Sequence, residues 1–376
     1  MINGLSLFAN VGIAETYLKD VGVNIIVANE LLHERAEFYR HLYPECNMIC
    51  GDIRENAVFE EIAQEARNKG VEFIIATPPC QGMSPAGKKD PKDERNILVK
   101  NVVKMIHAIN PKYVLLENVM QQLKTEIEYK GEYVLIPDYL RKELSEDYFF
   151  NENPVIDSKY YGVPQQRKRA IFLLSRKDVE NVWEFPKKED KFVTLRDAIG
   201  DLPSLDPLIK EKEYRYIFPD YEKKKKNGLK VSKWHSPREH VWRNVEVMMH
   251  TPEGMSARKN PVYFPKKKDG TMVGGALRTY MRMEWDKPAP TVTAYNHTIS
   301  SFQNVHPGRK TDKEGIYSDA RVLTIFELMR VMTLPDDWDI PDWASSQLIR
   351  TVIGEGIPPL LIKKIVAQLR LEGEND

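Results

Sequence analysis

The sequence predicts an α/β fold: a parallel sheet in the N-terminal half, a basic irregular insert, and a return of the chain to the first domain. Three observations carry this expectation. Over roughly the first 175 residues, short apolar runs alternate with longer stretches of helical spacing, as strands joined by crossover helices do. From about residue 186, prolines, lysine runs and isolated aromatics replace that alternation. At Arg321 helical periodicity resumes, first in R-V-L-T-I-F-E-L-M-R-V-M and then in P-P-L-L-I-K-K-I-V-A-Q-L.

Taken in order, strands are expected at 5–8, 24–28, 48–50, 72–76, 113–116 and 170–174. Helices are expected at 14–20, 32–42, 59–68 and 98–109, where apolar residues recur at helical intervals. The insert shows no long periodic segment before Arg321, and no internal repeat is present. A chain of 376 residues suffices for two domains. With 29% charged and 42% hydrophobic residues its balance is that of an ordinary globular protein. The opening M-I-N-G-L-S-L-F-A-N lacks a basic n-region and cleavage site, so no signal peptide is expected. The apolar runs are too short and too often broken by charge for a membrane span. Three cysteines, Cys46, Cys50 and Cys80, are a sparse, odd set that suits a reducing cytoplasm.

The net charge is zero, but unevenly spread. Between residues 190 and 290, 21 Lys and Arg stand against 14 Asp and Glu, a local +7 balanced by −7 elsewhere. The lysine runs 223–226 and 266–268 would each read as a solvated loop. Together, beside Trp234, Trp242, Tyr263 and Tyr280, they suit a surface for a polyanion.

Ligands of open parallel sheets bind beyond the carboxyl ends of the strands. The first end, L-S-L-F-A-N-V-G-I-A, holds the lone Gly12 and no G-x-G-x-x-G, which disfavours a nicotinamide dehydrogenase. Glu30 follows the second strand, where an acid accepts hydrogen bonds from ribose hydroxyls. Asp52 follows the third, where a carboxylate can take an adenine amino group. Each acid alone reads as a solvated loop residue; three such ends in succession fit an adenosine site without pyrophosphate, such as S-adenosylmethionine. T-P-P-C-Q-G-M-S puts Cys80 beyond the fourth strand. That thiol is either inert and partly buried or a nucleophile whose pKa nearby cations lower. Zinc held by His41, Cys46 and Cys50 ranks below packing, since no C-x-x-C is present. The fifth strand, Y-V-L-L-E-N-V, delivers Glu117, either a capping carboxylate or one raised in pKa to donate a proton. In Y-G-V-P-Q-Q-R-K-R, Arg167 and Arg169 share a face if the segment is extended, for phosphate contacts or for orienting a base or the glutamate.

P-P-C-Q at 78–81, E-N-V at 117–119 and Q-Q-R-K-R at 165–169, in that order, closely resemble the DNA cytosine-5 methyltransferases. L-F-A-N-V-G near the start, R-M-E-W-D-K-P-A-P-T-V-T at 282–293 and G-E-G-I-P-P at 354–359 extend the likeness over nearly the whole chain outside the insert. The resemblance implies a Rossmann-like S-adenosylmethionine-dependent methyltransferase sheet with a smaller, basic target-recognition domain. The implied boundaries are 1–189 for the catalytic domain, 190–281 for the recognition insert and 282–376 for the return. The target cytosine leaves the duplex at a cost of a few kcal/mol. Cys80 adds to carbon 6, Glu117 hydrogen-bonds or protonates nitrogen 3, and carbon 5 takes the methyl group from S-adenosylmethionine. Loss of the carbon-5 proton and expulsion of Cys80 restore the ring. Arg169 would contact the base carbonyl, and Arg167 would support the loop or Glu117.

For the cofactor, the resemblance puts Phe8 on the adenine, Glu30 on the ribose and Asp52, with Ile53 beside it, on the adenine amine. Gly12 permits close approach of the turn, Pro79 and Leu98 lie against the cofactor, and Glu355 belongs to the motif that completes the pocket. Gln81 and Ser84 begin a loop that closes on double-stranded DNA, with Lys88 and Arg95 on phosphates. Gly274-Gly275-Ala276 reads as a tight loop near the gap left by the flipped base. The family usually has an acid at the start of the first motif, and glycine where this chain has Ser6 and Asn10. Met83 stands for the usual phenylalanine and Glu355 for the usual asparagine. The implied enzyme is a cytoplasmic monomer, with a restriction endonuclease as separate partner. The competing readings are a tRNA cytosine-5 methyltransferase, against which the roughly 90-residue insert weighs, and a non-catalytic DNA-binding regulator, against which Cys80, Glu117 and Arg169 weigh.

Overall fold

Five strands paired in parallel, and three more joined through antiparallel pairing, form the central sheet. The computed structural model describes residues 1–79, 98–179 and 182–369. The strands are β1 (Ile2–Leu7), β2 (Val23–Glu30), β3 (Asn47–Cys50), β4 (Val71–Ala76) and β5 (Tyr113–Asn118). A separate hairpin, β6 (Glu126–Tyr129) and β7 (Glu132–Leu135), precedes β8 (Tyr148–Phe150), β9 (Val155–Asp157) and β10 (Lys168–Arg176). The sheet order is β3-β2-β1-β4-β5-β10-β8, with β9 also on β10. β3 to β5 run parallel, and β10 runs antiparallel to β5. All six expected strands are present. They read as continuous apolar runs because helices cover both faces; every residue of β5 is buried.

Helices α1 (His33–Leu42), α2 (Asn56–Asn68), α3 (Leu98–Ile109) and α4 (Ile136–Leu144) belong to this unit. α3 buries Leu98, Val99, Val102, Val103, Met105 and Ile106, one stripe of a 3.6-residue period, in the core with Leu5, Leu7, Ile74, Leu116 and Phe172. The helix expected at 14–20 does not form. Glu15, Thr16 and Leu18 donate to carbonyls three residues back, and only a 3₁₀ turn, Lys19–Val21, follows. The Thr16 hydroxyl also takes the Ile13 carbonyl at 2.8 Å, an acceptor an α-helix would need.

The chain packs as two compact units. The first comprises Met1–Asp157, Lys168–Lys188 and the segment that starts at Pro359, including α10 (Pro359–Val366). There the Trp183 indole donates to the Ile365 carbonyl at 2.9 Å. The second comprises Ser158–Arg167 and Glu189–Pro358. It holds α5 (Leu195–Ile199), α6 (Tyr221–Val231), α7 (Trp242–Met249), α8 (Ile325–Val331), α9 (Ser346–Glu355) and the two-residue strands β11 (Leu208–Ile209) and β12 (Glu239–His240). α6 corrects the expectation of an insert without helices: lysines 223–226 lie on it rather than in a loop. Its periodicity is hidden because the one residue it buries is Gly228, pressed so close to the His235 carbonyl that a Cβ would sit 2.5 Å away. Lys224 ties it down through Asp206 at 2.6 Å.

The second unit is organised around buried charge. Arg321 bridges Asp319 and Glu327, each at 2.8 Å. The Glu327 carboxylate also closes the capping box of α8 with Thr324. Arg282 donates to the carbonyls of Met248, His306, Ser318 and Asp319. Burial alone would raise the Glu327 carboxyl, but the Arg321 guanidinium overrides it and holds it at about 2. Burial pushes His306 down to about 4 and His240 down to about 3.

These shifts fix a pH dependence. The two histidines are neutral when folded but gain protons at about pH 6.5 when unfolded. Their contribution is therefore full above that pH and declines as pH falls toward 4. Glu327, depressed below its unfolded value of about 4.3, adds a further loss below pH 4. In urea unfolding, the midpoint of wild type should lose ground to that of His306→Gln as pH falls from 6.5 to 4.

Candidate active site

Because β1 has β2 on one side and β4 on the other, crossovers leave it in opposite directions and open a crevice beyond the carboxyl ends of β1 and β4. At the end of β1 the backbone turns through left-handed conformations at Phe8 (φ 58°), Asn10 (φ 52°) and Gly12 (φ 81°). Asparagine is among the few side chains that adopt this region readily, which accounts for Asn10 where the family has glycine. Gly12 is required by packing within the protein: a Cβ would lie 2.2 Å from the Tyr43 ring, whose hydroxyl donates to the Gly12 carbonyl at 2.6 Å. Phe8 is half-buried beside the core.

Glu30, buried at the end of β2, accepts from the Asn10 and Leu32 amides, each at 2.9 Å. Burial raises its carboxyl, and these amides pull against the shift. Asn29 joins β2 to β3 by donating to the carbonyls of Ile49 and Gly51 at 3.0 and 3.1 Å. Asp52 follows and is held by the Arg54 side chain, whose hydrogen bonds keep the carboxyl below its usual range. Ile53 is buried, its carbonyl 3.4 Å from the Asn101 amide on α3, and Leu98 starts that helix inside the core.

At the end of β4 the turn is stitched on both sides. Thr77 donates its amide to the Leu7 carbonyl at 3.2 Å and its hydroxyl to the Phe8 carbonyl at 3.1 Å. The Pro78 carbonyl accepts from the Asn118 side chain at 3.0 Å, while the Asn118 oxygen accepts from Val119 N at 2.8 Å. The chain is thus pinned between β1 and β5 up to the half-buried Pro79. Cys80, Gln81, Ser84, Lys88 and Arg95 lie outside the described residues.

Glu117, buried near the end of β5, lies 2.9 Å from the Nε of Arg169. The register explains the meeting. Ile171 lies opposite Glu117, and Arg169, two residues along β10, shares its face on the diagonal. A second guanidinium nitrogen donates to the Lys168 carbonyl at 2.8 Å, which fixes the plane of the group. Arg167 takes a different route. It precedes β10, and its buried guanidinium donates to the carbonyls of Val292 (2.8 Å), Gly354 and Glu355 (both 3.2 Å) within the second unit. It thereby caps α9, where backbone carbonyls carry partial negative charge. Glu355 is the exposed last residue of that helix.

Sequence reading missed the roles of Thr77, Asn29 and the Asn118 side chain. Each is a short polar residue at a strand end, where backbone groups lose their ladder partners, and that position was the available signal. Asn118→Ala would leave the Pro78 carbonyl without its side-chain donor and the Val119 amide without its acceptor. It should cost about 1–3 kcal/mol in urea unfolding.

A family model described as C-5 cytosine-specific DNA methylase matches residues 2–370. The chain is 43% identical over 373 residues to the Type II methyltransferase M1.HgaI of Avibacterium volantium, covering 98% of both proteins. It is 27% identical over 342 residues to the Type II methyltransferase M.Eco47II of Escherichia coli, covering 89% of this chain and 71% of that protein. Among solved structures, a putative DNA modification methyltransferase encoded within an E. coli prophage has the same fold, with a TM-score of 0.68, 20% identity and 98% of each chain covered. DNMT2 of Spodoptera frugiperda superposes with a TM-score of 0.57 at 16% identity, over 97% of this chain and 99% of that one. With the family's pattern spanning the sheet, the strand-end site and the second unit alike, the chain belongs to the C-5 cytosine-specific DNA methylases.

Proposed function

We propose that this enzyme methylates carbon 5 of a cytosine flipped out of a specific duplex sequence, through a covalent bond from Cys80, as the modification partner of a restriction endonuclease. The observation that carries this reading is the buried Glu117–Arg169 pair at the end of β5, beside the turn that Asn118 pins just ahead of Cys80. A buried ion pair is weak as a stabilising device, because desolvation offsets much of its attraction. Its presence at a strand end is better accounted for by chemistry.

S-adenosylmethionine, the methyl donor of this family, supplies an electrophilic methyl group when bound. The strand ends suit it. Glu30 presents a buried carboxylate with lone pairs beyond the two taken by amides. Phe8 offers a half-buried ring, and no phosphate-binding glycine pattern is present. The roles of Phe8, Gly12, Glu30, Asp52, Ile53, Pro79, Leu98 and Glu355 toward it are part of this proposal.

Cytosine carbon 6 accepts a thiolate only when electron density is drawn toward ring nitrogen 3. Glu117, a carboxylate paired with Arg169 in the protein alone, acts on the bound base in its protonated form, giving that nitrogen a hydrogen bond or its proton. Arg169 keeps the carboxyl aimed and leaves donors for the base carbonyl. Cys80 sulfur then bonds to carbon 6, and the electron pair arriving at carbon 5 takes up the methyl group as its bond to the donor's sulfur breaks. A base removes the carbon-5 proton, the Cys80 thiolate leaves carbon 6 as the 5,6 double bond returns, and nitrogen 3 gives back to Glu117 any proton it took. Arg167 acts at one remove, as a positioning residue for α9. Residues 190–281 read the target sequence, and the protein works in the cytoplasm as a monomer.

The test is incubation of a randomised duplex pool containing 5-fluorocytosine with the enzyme and S-adenosylmethionine. Fluorine does not leave as a proton does, so a protein–DNA adduct should survive denaturing electrophoresis and vanish in Cys80→Ser. Adducts with fluorinated RNA and none with DNA would sink the DNA reading. Glu117→Gln should lower kcat by about 10²–10⁴ while DNA binding persists. Glu30→Gln should weaken S-adenosylmethionine binding by about 10–100-fold in calorimetry, leaving DNA affinity unchanged.

A further inference from the structure

Within the second unit, residues 258–278 carry six Lys and Arg against the single acid Asp269. Residues 265–273 fold back as a narrow antiparallel ribbon. Lys266 pairs with Met272, Lys267 N donates to the Thr271 carbonyl at 2.7 Å, and Val273 N donates to the Pro265 carbonyl at 2.8 Å. The three-residue tip, Lys268-Asp269-Gly270, ends in a left-handed glycine (φ 82°), the usual chemistry of such a hairpin. Asp269 is committed to the turn: its carboxylate accepts from the Thr271 amide and hydroxyl at 3.0 and 2.6 Å. It therefore does not pair with the lysines, and among the described residues no ion pair engages Lys266, Lys267 or Lys268.

The base of the ribbon is firm. Arg258 donates to the Val273 carbonyl, Tyr263 stacks on His250 with ring centroids 3.4 Å apart, and Asn260 accepts from the Val262 and Tyr263 amides. Beyond that base the side chains are exposed, including the apolar Val262 (60%), Met272 (41%) and Leu277 (61%). Such exposure, next to uncompensated cations, marks a surface made for a partner that is anionic with apolar edges between its charges. Gly274 adds an independent sign. It lies outside the left-handed region, and a Cβ built there would meet nothing within 4 Å. Neither its backbone nor its neighbours within the protein call for glycine; a backbone approaching from outside would.

Resting on the function proposed above, we infer that the 265–273 ribbon, with the Gly274–Leu277 turn behind it, is the element that enters the major groove. The groove admits a two-stranded ribbon and presents base edges, including thymine methyl groups, between two rows of phosphates. Lys266, Lys267 and Lys268 take the phosphates, Met272 and Leu277 lie on base edges, and Gly274 lets a sugar–phosphate strand pass close. The α6 lysines lie outside this contact.

The experiment uses the full chain and a duplex selected by the 5-fluorocytosine trap. Affinity is measured from 50 to 200 mM salt for wild type, for the triple variant Lys266→Gln, Lys267→Gln, Lys268→Gln, and for the α6 variant Lys223→Gln, Lys225→Gln, Lys226→Gln. Each phosphate contact contributes about 0.9 to the slope of log K against log salt. The ribbon variant should therefore lose about 2 to 3 of that slope, and the α6 variant should keep it. Trapping on the randomised pool with Met272→Ala, Leu277→Ala should return a broadened target sequence. A ribbon variant with wild-type slope, slope loss that follows α6, or an unchanged target sequence each overturns the inference. Wild type that traps no DNA would instead overturn the function on which it rests.

Discussion

Two side chains, Thr77 and Asn118, hold the site together. Where parallel strands stop, their amides and carbonyls lose ladder partners and must find others. Pro78 and Pro79 sharpen the problem, because neither has an N–H with which to tie the turn down. Thr77 therefore fastens the exit of β4 to β1, and the Asn118 side chain fastens it to β5. Those two strands also carry Phe8 and Glu117 at their ends. A single pinned turn thus sets the spacing between the turn after β1, the buried carboxylate and Pro79.

The antiparallel β10 completes this arrangement in a way a parallel strand could not. Running back along β5, it starts beside the carboxyl end of β5, so its first residues stand where the site is. Arg169 meets Glu117 there as a diagonal neighbour. The pair is held in low dielectric, where each charge depends on the other. That makes the guanidinium an aiming device for the carboxyl more than a source of stability. Two layers of constraint, strand ends and ion pair, act on the same few ångströms.

The sheet was legible because buried parallel strands write themselves as apolar runs, and their ends could be read off by stopping where the apolar residues stop. Spacing was less informative where the chain changed its conformation. Arg167 and Arg169 share a face only while the strand lasts, and β10 begins at Lys168. One arginine therefore goes to Glu117 and the other to the carbonyls of α9. α6 escaped notice because a buried glycine leaves no apolar stripe. The 14–20 segment has helical spacing, but turn hydrogen bonds and the Thr16 hydroxyl take the carbonyls that a helix would use. In each case, local polar or glycine chemistry outweighed the hydrophobic period.

The departures at the first motif follow the same logic. Asn10 occupies a left-handed position that excludes most other side chains. Ser6 stands where the family usually has glycine, and the hydroxyl it brings donates to the buried Glu15, nine residues further on. Burial pushes that carboxyl up to about 7. The irregular course of 14–18, which breaks the expected helix, is what turns Glu15 back under β1. The serine at this strand residue and the loss of a helix are therefore one feature of the structure, the means by which this chain places an acid beneath its first strand.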